Sequence, residues 1–359
     1  MKVSIFCGGS GKRFWPLSRK NKPKQLLPLF DGKSTLQLTY ERISPLLSPE
    51  DIFISTSKDY FAVIKKQLPE LCAENLIGEP ALRDLGPAVC LNTAILSRAG
   101  DKEEPFAILW SDHVLEEEQI FRDMVSKAEE LVESGEAEIV FFGCSPRYAN
   151  ENLGWIGFRE PLSVNKPISI HDLASFQYRP DKETAENYFE SGKYAWNLGY
   201  FVSTPRFILD AFKKHCPGIY KGVKKIAGTW GEESFGQILG EVYPSLQKIS
   251  FDDAVLEKLD YDKAKVLVAD LGWADVGNPY AYKETLVGKE NLFVGDTVDI
   301  DSSDTVVYND TDKLVATAGL EGLVVIVTED AILVCGKDDA KKVKKLVQRL
   351  EDEGRTSLL

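Results

Sequence analysis

The chain has 359 residues, of which 43% are hydrophobic and 28% charged, so it can bury a core in about two domains. A net charge of −13 repels nucleic acid and anionic membranes, and the composition predicts neither as a partner. Six cysteines without a CxxC spacing and only three histidines give no support to a zinc or redox site. The absence of a signal-like or membrane-spanning apolar run predicts a cytoplasmic protein with reduced thiols.

Strand-length apolar runs alternate with helical patterns in the first part of the chain. Strands are predicted at residues 3–7, 51–55, 106–110 and 138–143. Helices are predicted at residues 60–68, 86–98 and 119–133, the last with an apolar stripe of Ile120, Met124, Ala128 and Leu131. This alternation predicts an α/β fold with a mostly parallel sheet, in which ligands bind beyond the carboxyl ends of the strands.

The pattern changes after about residue 290. Short β-rich runs occur at residues 297–300, 305–308, 314–317, 323–327 and 331–335. A helical pattern returns only at residues 338–353. We therefore predict an α/β domain at residues 1–289 and a small all-β appendage with a closing helix at residues 290–359. No repeat of constant period stands out, which leaves a β-solenoid open.

The first predicted strand leads directly into a glycine loop with the sequence Gly8-Gly9-Ser10-Gly11-Lys12-Arg13. The loop matches neither the Walker A motif nor GxGxxG, but its glycines allow backbone N–H groups to approach a ligand closely. Residues 12–24 carry six basic side chains and no acidic one. Trp15, Pro16 and Pro23 constrain this segment, which distinguishes it from a solvated polar run. The combination predicts a polyphosphate site.

Residues 8–19 and the segment Pro23-Lys24-Gln25-Leu26 resemble the signature of sugar-1-phosphate nucleotidylyltransferases. The Trp-Pro-Leu-Ser-Arg and Pro-Lys-Gln segments are most similar to those of mannose-1-phosphate guanylyltransferases. Further matches follow in family order: Glu79-Pro80 with Arg83 and Gly86-Pro87-Ala88, Ser111-Asp112-His113, Trp196-Asn197-Leu198-Gly199, Phe251-Asp252-Asp253-Ala254-Val255 and Gly272-Trp273-Ala274-Asp275-Val276-Gly277. The resemblance covers nearly the whole chain.

The resemblance implies a fold and an activity. The fold would be a Rossmann-like, GT-A-like nucleotidyltransferase domain followed by a short left-handed β-helix, and a homodimer through that β-helix stays open. The activity would be transfer of GMP from GTP to a hexose 1-phosphate, giving GDP-mannose and pyrophosphate with Mg²⁺ as cofactor. The attacking phosphate is already ionised, so this reaction needs no Ser–His pair, which agrees with the scarcity of histidine.

The resemblance also implies roles for individual residues. It assigns catalytic roles to Arg13, Lys24, Asp112 and Asp275, and the two aspartates would also bind Mg²⁺. Nucleotide binding falls on Gly8, Gly9, Gly11, Lys12, Glu79, Pro80 and Arg83. Binding of the sugar phosphate falls on Gly154, Tyr178, Arg179 and Asn197. His113 is predicted to be structural, because the mechanism gives it no proton to transfer.

The chain departs from the family pattern at three places. Lys12 replaces a threonine after the glycine loop, and residues 152–155 replace a Gly-Tyr-Gly-Tyr stretch. In the Phe-x-Glu-Lys-Pro motif, Tyr178 replaces the sugar-contacting glutamate and Arg179 replaces the phosphate-contacting lysine. Other sugar phosphates or nucleotides (glucose 1-phosphate, UTP, dTTP, ATP) and a catalytically silent sensor therefore stay open. A glycosyltransferase is disfavoured, since the DxD triplets at residues 260–262 and 299–301 come too late in the chain.

Overall fold

The computed structural model describes residues 1–9, 11–165 and 167–359. The strands are β1 Lys2–Cys7, β2 Ile52–Ser57, β3 Leu76–Glu79, β4 Phe106–Trp110, β5 His113–Val114, β6 Ile139–Cys144, β7 Gly154–Asn165, β8 Ile168–Tyr178, β9 Tyr194–Ser203, β10 Ala264–Val268, β11 Ala274–Asp275, β12 Leu292–Val294, β13 Thr297–Ile300, β14 Val306–Asn309, β15 Val315–Ala318, β16 Leu323–Val327 and β17 Ile332–Gly336. The helices are α1 Thr35–Ile43, α2 Phe61–Gln67, α3 Leu85–Ala99, α4 Glu118–Glu133, α5 Lys182–Ser191, α6 Pro205–His215, α7 Pro217–Ala227, α8 Phe235–Val242, α9 Phe251–Ala254, α10 Pro279–Val287 and α11 Val343–Asp352.

The described residues form two compact units. The first unit contains Met1–Cys7, Tyr40–Trp110 and Leu115–Trp273. The second unit contains Gly8–Thr39, Ser111–Val114 and Ala274–Leu359. The second unit thus combines the glycine loop and the segment after β4 with the C-terminal β-rich region. The predicted domain boundary between residues 289 and 290 stays a prediction.

The core of the first unit is a sheet whose nine strands, among the described residues, run in the order β3-β2-β1-β4-β9-β6-β10-β8-β7. Strand β1 is apolar along most of its length because both of its faces are covered, and Val3 and Ile5 are fully buried. The strands predicted near residues 3–7, 51–55, 106–110 and 138–143 correspond to β1, β2, β4 and β6. The prediction of an α/β fold is confirmed.

Among the described residues, seven of the nine strands run in one direction and β8 and β9 run against them, so the mostly parallel sheet contains two antiparallel strands. Strands β3, β2, β1 and β4 run parallel, as do β6 and β10. Strand β9 is antiparallel to β4, β6 and β7, and β8 is antiparallel to β10 and β7. One cause is connection length: β7 ends at Asn165 and β8 begins at Ile168, so the two form a hairpin, whereas parallel neighbours need a long crossover.

The predicted helices of the first unit are present, with ends within one or two residues of the expected positions. Helices α2, α3 and α4 correspond to the patterns at residues 60–68, 86–98 and 119–133. Of the stripe predicted for α4, Met124, Ala128 and Leu131 are buried, while Ile120 is only half-buried. The neighbouring Phe121 takes its place in the core, where its ring packs against Phe142 and Tyr200.

The β-rich end of the second unit is a β-helix. Strands β12, β14 and β16 form one parallel sheet, with β17 antiparallel at its edge, and β13 and β15 form another. Thr297 pairs with Val315 and Val306 with Val324, so successive coils are 18 residues apart at both places. Leu292 pairs with Val306 across only 14 residues. This change in coil length explains why no constant period stands out in the sequence.

An ionic cluster joins α10 to the β-helix. The ammonium of Lys283, which is fully buried, forms an ion pair with the carboxylate of Asp304. Lys337 Nζ lies 2.6 Å from the same carboxylate, and the hydroxyl of Tyr280 donates to it at 2.8 Å. The hydrogen bonds from Lys283 and Lys337 hold the pKa of Asp304 well below its usual value of 3.8. The cluster therefore stabilises the second unit through an ionised carboxylate.

All six cysteines are free thiols, and four of them are buried, as the sequence predicts.

In the described part of the chain, no helix has the length and apolar character that a bilayer crossing requires.

Candidate functional site

The glycine loop follows β1 and belongs to the second unit. Gly9 and Gly11 have φ values of 97° and 56°, in the region that side-chain-bearing residues rarely adopt. A Cβ atom on Gly11 would lie 2.8 Å from the backbone nitrogen of Lys24, so only glycine fits there. Ser10 of the predicted loop lies outside the described residues. Two glycines are therefore required by local geometry, independently of any ligand.

Two side chains that the sequence analysis gave no role hold this loop in place. The side-chain amide of Gln25 donates a hydrogen bond to the carbonyl of Gly8. The hydroxyl of Ser18 donates to the carbonyl of Gly11 at 2.7 Å. Both residues are buried. The signal for both was their position inside the two segments, residues 8–19 and 23–26, that the resemblance matched.

Strand pairing brings the two predicted catalytic aspartates together. The two-residue strands β5 and β11 are antiparallel, and Asp275 pairs with His113, the residue after Asp112. The ammonium of Lys24 lies 3.0 Å from Asp112 Oδ2 and 3.7 Å from Asp275 Oδ1. It also donates to the carbonyl of Val276 at 3.2 Å. Lys24, Asp112 and Asp275 thus form one cluster, which we call the lysine–aspartate cluster.

Charge keeps Asp112 ionised. Burial by itself would raise the pKa of this carboxyl group, but the Lys24 ammonium and the His113 ring outweigh burial and lower the pKa to about 2. His113 Nε2 lies 3.8 Å from Asp112 Oδ1. At neutral pH the cluster therefore presents a carboxylate, which is a hard oxygen ligand suited to a divalent cation.

Arg13 supplies an exposed cation next to the cluster. Among the described residues, its side chain makes no hydrogen bond or ion pair. Its guanidinium lies beside the backbone of Gly277, where a Cβ atom added to the glycine would be 3.4 Å from Arg13 Nη1. Gly277 follows the cluster residue Asp275 by two positions. Lys12, also predicted to bind nucleotide, instead forms an ion pair with Glu351 at 2.7 Å.

In the first unit, the predicted nucleotide-binding segment is fixed by a buried polar network. The carboxylate of Glu79 accepts hydrogen bonds from the hydroxyl of Tyr243 at 2.7 Å and from Ser55 at 3.0 Å. Burial raises the pKa of Glu79. The guanidinium of Arg83 donates to the carbonyl of Pro244. Both side chains therefore tie the segment around the exposed Pro80 to residues 243–244.

Three of the predicted sugar-phosphate residues are neighbours across adjacent strands. Gly154 of β7 pairs with Tyr178 of β8 on one side and with Asn197 of β9 on the other. A Cβ atom on Gly154 would lie 3.2 Å from Asn197 Cβ, so glycine leaves room for the amide. Asn197 is buried, and its side-chain oxygen accepts a hydrogen bond from the backbone N–H of Gly199 at 3.0 Å. Its side-chain NH₂ keeps donors for a ligand.

Arg179 follows Tyr178 with a φ of 52°, and its guanidinium lies 4.7 Å from the centre of the Tyr178 ring. Two acidic residues that the sequence analysis gave no role lie here. Glu257 accepts a hydrogen bond from the backbone N–H of Tyr178 at 3.0 Å. Burial raises the pKa of Asp252 to about 6, although the positive charge of Arg179 opposes the increase. The signal for Asp252 was its place in a matched family segment.

The described residues contain no group of three or more histidine, cysteine, aspartate or glutamate side chains that could hold a metal ion. A metal at the lysine–aspartate cluster would therefore take only Asp112 and Asp275 from the protein and its other ligands from elsewhere. Mg²⁺ is commonly bound in this way, with one or two carboxylates completed by phosphate oxygens and water. The chemistry of the pair fits such an ion.

The chain is similar to known proteins over nearly its whole length. The family model "Nucleotidyl transferase" matches residues 2–290, and the "MannoseP isomerase/GMP-like beta-helix domain" matches residues 295–350. The mannose-1-phosphate guanylyltransferase 2 of Escherichia coli is 32% identical over 99% of this chain and 74% of its own length. The mannose-1-phosphate guanylyltransferase RfbM of Salmonella typhimurium is 34% identical over 98% of this chain and 72% of its own length.

A solved structure extends the comparison to three dimensions. A protein from Thermus thermophilus, described as a mannose-1-phosphate geranyltransferase, superposes with a TM-score of 0.83 at 32% identity and covers 98% of this chain and 99% of its own. The β-helix expected from the resemblance is confirmed by the matched domain and the parallel strand pairs, while its handedness stays a prediction. By these matches, and by the resemblance on which the sequence analysis relied, the chain belongs to the nucleotidyl transferase family, alongside its mannose-1-phosphate guanylyltransferases.

Proposed function

We propose that this chain is a mannose-1-phosphate guanylyltransferase, which forms GDP-mannose and pyrophosphate from GTP and mannose 1-phosphate. The observation that carries the proposal is the lysine–aspartate cluster beside the glycine loop, with the exposed Arg13 as a further cation. Two carboxylates and two cations on one loop system suit a polyphosphate and its metal. The choice of guanine as the base and mannose as the sugar rests on the relatives at 32–34% identity.

The reaction transfers one guanylyl (GMP) group and needs no protein nucleophile. An ionised oxygen of the sugar 1-phosphate forms a bond to the α-phosphorus of GTP, and the bond from that phosphorus to the oxygen bridging the β-phosphate breaks. Pyrophosphate leaves with the electron pair of the broken bond. Because the nucleophile is already an anion, catalysis depends on alignment and on neutralisation of the negative charge.

Residues of the second unit carry the positive charges that would bind the triphosphate. We assign Arg13 and Lys24 to the triphosphate and to the leaving pyrophosphate, Arg13 through its forked N–H groups and Lys24 as a point charge. The backbone of Gly8, Gly9 and Gly11 would lie against the nucleotide, as the glycine conformations allow. Lys24 has a second task, since it keeps the Asp112 carboxylate ionised and contacts both Asp112 and Asp275, which holds the two carboxylates close together before the metal binds.

We propose Mg²⁺ as the cofactor and Asp112 with Asp275 as its protein ligands. Both carboxylates contact the same ammonium, so they already converge on one cationic position. When bound, the ion would neutralise phosphate oxygens and help to orient the triphosphate.

Residues of the first unit would recognise the nucleotide base and the sugar phosphate. We assign Glu79, Pro80 and Arg83 to the nucleotide segment. The Glu79 carboxylate already accepts from Tyr243 and Ser55, and one guanidinium nitrogen of Arg83 already donates to Pro244. These two side chains would therefore shape the segment as well as contact the base. A preorganised segment loses less entropy when the nucleotide binds.

The sugar phosphate is assigned to Gly154, Tyr178, Arg179 and Asn197. Asn197 offers amide donors to sugar hydroxyls, and Arg179 offers a cation to the phosphate. Tyr178 offers one hydroxyl where the family pattern has a carboxylate that accepts from two hydroxyls. We therefore expect weaker discrimination between mannose 1-phosphate and glucose 1-phosphate than in relatives that keep the glutamate.

We also propose a homodimer through the β-helix. Val298 and Ile300 of β13 are 49% and 64% exposed on its outer face, which is unusual for large apolar side chains on one short strand. Light scattering coupled to size exclusion would give twice the monomer mass for the wild type and the monomer mass for Ile300→Lys. A monomeric wild type would refute the dimer.

The cytoplasmic location stays a prediction.

A substrate panel tests the proposed function. Pyrophosphate release is measured with GTP, ATP, UTP and dTTP, each paired with mannose 1-phosphate or glucose 1-phosphate in the presence of Mg²⁺. We expect the highest kcat/KM for GTP with mannose 1-phosphate. A higher value for another nucleotide would make the chain a different nucleotidylyltransferase, and no release from any pair would favour a catalytically silent sensor.

A further inference from the structure

Four of the six basic side chains in residues 12–24 divide into two sets. Arg13 and Lys24 lie with Gly277 and the lysine–aspartate cluster. Lys12 and Arg19 contact residues near the C-terminus of the second unit instead. The first set lies at the cluster to which the proposed function assigns the triphosphate, whereas both members of the second set are engaged by the C-terminal part of the second unit, so we expect the two sets to have different tasks.

Lys12 is paired with the C-terminal helix. Its ammonium lies 2.7 Å from Glu351 Oε1 on α11, and both side chains are partly shielded from solvent. The two residues are 339 positions apart in the chain. This contact fixes the residue that follows Gly11 directly, at the point where the loop takes its unusual backbone conformation.

Arg19 and Trp15 converge on a single backbone carbonyl beyond that helix. The guanidinium of Arg19 and the indole N–H of Trp15 both donate to the carbonyl of Leu358, the latter at 2.7 Å. Arg19 also forms an ion pair with Asp330 at 2.5 Å and lies 5.6 Å from the centre of the Trp15 ring. The loop is thus held at both of its ends.

Apolar packing supports the same connection. Phe14, Trp15 and Leu17 belong to one buried cluster with Val347 and Leu350 of α11. The face of the loop that carries these three residues is therefore covered by the C-terminal helix, while Arg13, between Lys12 and Phe14, stays exposed. Helix α11 and the turn at Thr356–Leu358 act on the loop as one strap, which we call the C-terminal strap.

We propose that the C-terminal strap positions the glycine loop for the triphosphate, and that Lys12 and Arg19 are positioning residues of this reaction which do not themselves bind phosphate. The proposal rests on the proposed function for its substrate. It differs from the resemblance, which places Lys12 among the nucleotide contacts. Once the strap is weakened, the loop visits more conformations, and binding of GTP would carry the cost of restoring the competent one.

A double-mutant cycle distinguishes positioning from direct contact. The variants are Lys12→Met, Glu351→Gln and the double variant, measured for kcat and for both KM values. Positioning predicts that each of the three raises the KM for GTP about fivefold, at the upper end of what a part-exposed ion pair contributes. The KM for mannose 1-phosphate and kcat would change by less than about twofold. Glu353→Gln is the control, because Glu353, directly after the end of α11, pairs with Arg349 of that helix.

Direct contact makes the opposite prediction and would overturn the proposal. If Lys12 binds phosphate, Glu351→Gln frees its charge and leaves the KM for GTP unchanged or lower, while Lys12→Met alone raises it. A loss of the same size in Glu353→Gln would also overturn the proposal, since it would show a general effect on the helix.

A measurement without substrate separates this proposal from the proposed function. Hydrogen exchange of the backbone amides in residues 11–19 is compared between wild type and Glu351→Gln. We expect faster exchange in the variant at these residues and unchanged exchange in β1. Equal rates in both proteins would refute the strap even if the enzyme transfers GMP, whereas faster exchange in a protein without that activity would leave the strap intact and refute the substrate.

Discussion

Replacement of Lys24 by methionine tests the lysine–aspartate cluster most severely. The change keeps an unbranched side chain as far as the Cε position but removes the ammonium that lies 3.0 Å from Asp112 and 3.7 Å from Asp275. Two carboxylates would then stand together without a cation, and the triphosphate would lose a charge donor whose side chain is only 11% exposed. Loss of one preorganised donor typically costs about 10²–10³ in kcat, or about 2.7–4 kcal/mol. We expect a decrease of that size.

The assay is steady-state pyrophosphate release from GTP and mannose 1-phosphate, with circular dichroism to confirm folding. Lys22→Met is the matched control, since Lys22 belongs to the same basic segment but is exposed and pairs with Arg19 through its backbone. It should keep kcat within about twofold. A folded Lys24→Met variant with wild-type kcat would refute the assignment of the cluster, and so would an equal loss in Lys22→Met.

The same geometry yields three further predictions. Asp275→Asn should abolish Mg²⁺-dependent turnover in a folded protein, and a wild-type response to a Mg²⁺ titration would show that this residue is not a ligand. Arg179→Ala should raise the KM for mannose 1-phosphate by about 10-fold or more, since a lost charged hydrogen bond costs about 1.5–3 kcal/mol, and should raise the KM for GTP by less than about twofold. Equal KM values for mannose 1-phosphate in the variant and the wild type would show that this loop does not belong to the site. Asp304→Asn should lower the free energy of unfolding by about 3 kcal/mol at pH 7 in urea titrations, because it leaves the buried Lys283 without its counter-ion. The pKa of Asp304 is depressed, so its stabilisation is present above pH 4 and is lost as pH falls further, and the variant should then approach the wild type; a constant difference from pH 7 to pH 2 would contradict this origin.

Local patterns predicted the elements of the fold well. The apolar runs at residues 106–110 and 323–327 coincide with strands β4 and β16. Such runs report burial, which depends on the residues themselves. Strand direction depends on which distant segments become neighbours, and β9 enters the sheet antiparallel between β4 and β6 without any local sign of it. A mixed sheet was therefore beyond what periodicity can show.

For the candidate site, too, the local motif could be predicted from the sequence but the contacts between distant residues could not. The glycine loop and its cations were visible as a local motif, whereas Asp112 and Asp275 are joined by two strands of only two residues each, too short to produce a period. Only the resemblance to a known family placed them together. The partner of Lys12 illustrates the limit, because nothing near residue 12 indicates that Glu351, 339 positions later, takes up its charge.

The central claim is direct transfer of GMP from GTP to an ionised sugar phosphate, and GTP labelled at the α-phosphate tests it most directly. The wild-type protein is incubated with labelled GTP, mannose 1-phosphate and Mg²⁺, and the products are separated after a few turnovers. We predict that the label appears in GDP-mannose, with an equal amount of unlabelled pyrophosphate and no label on the protein. Label released as free GMP, label bound covalently to the protein, or no transfer at all would contradict the account.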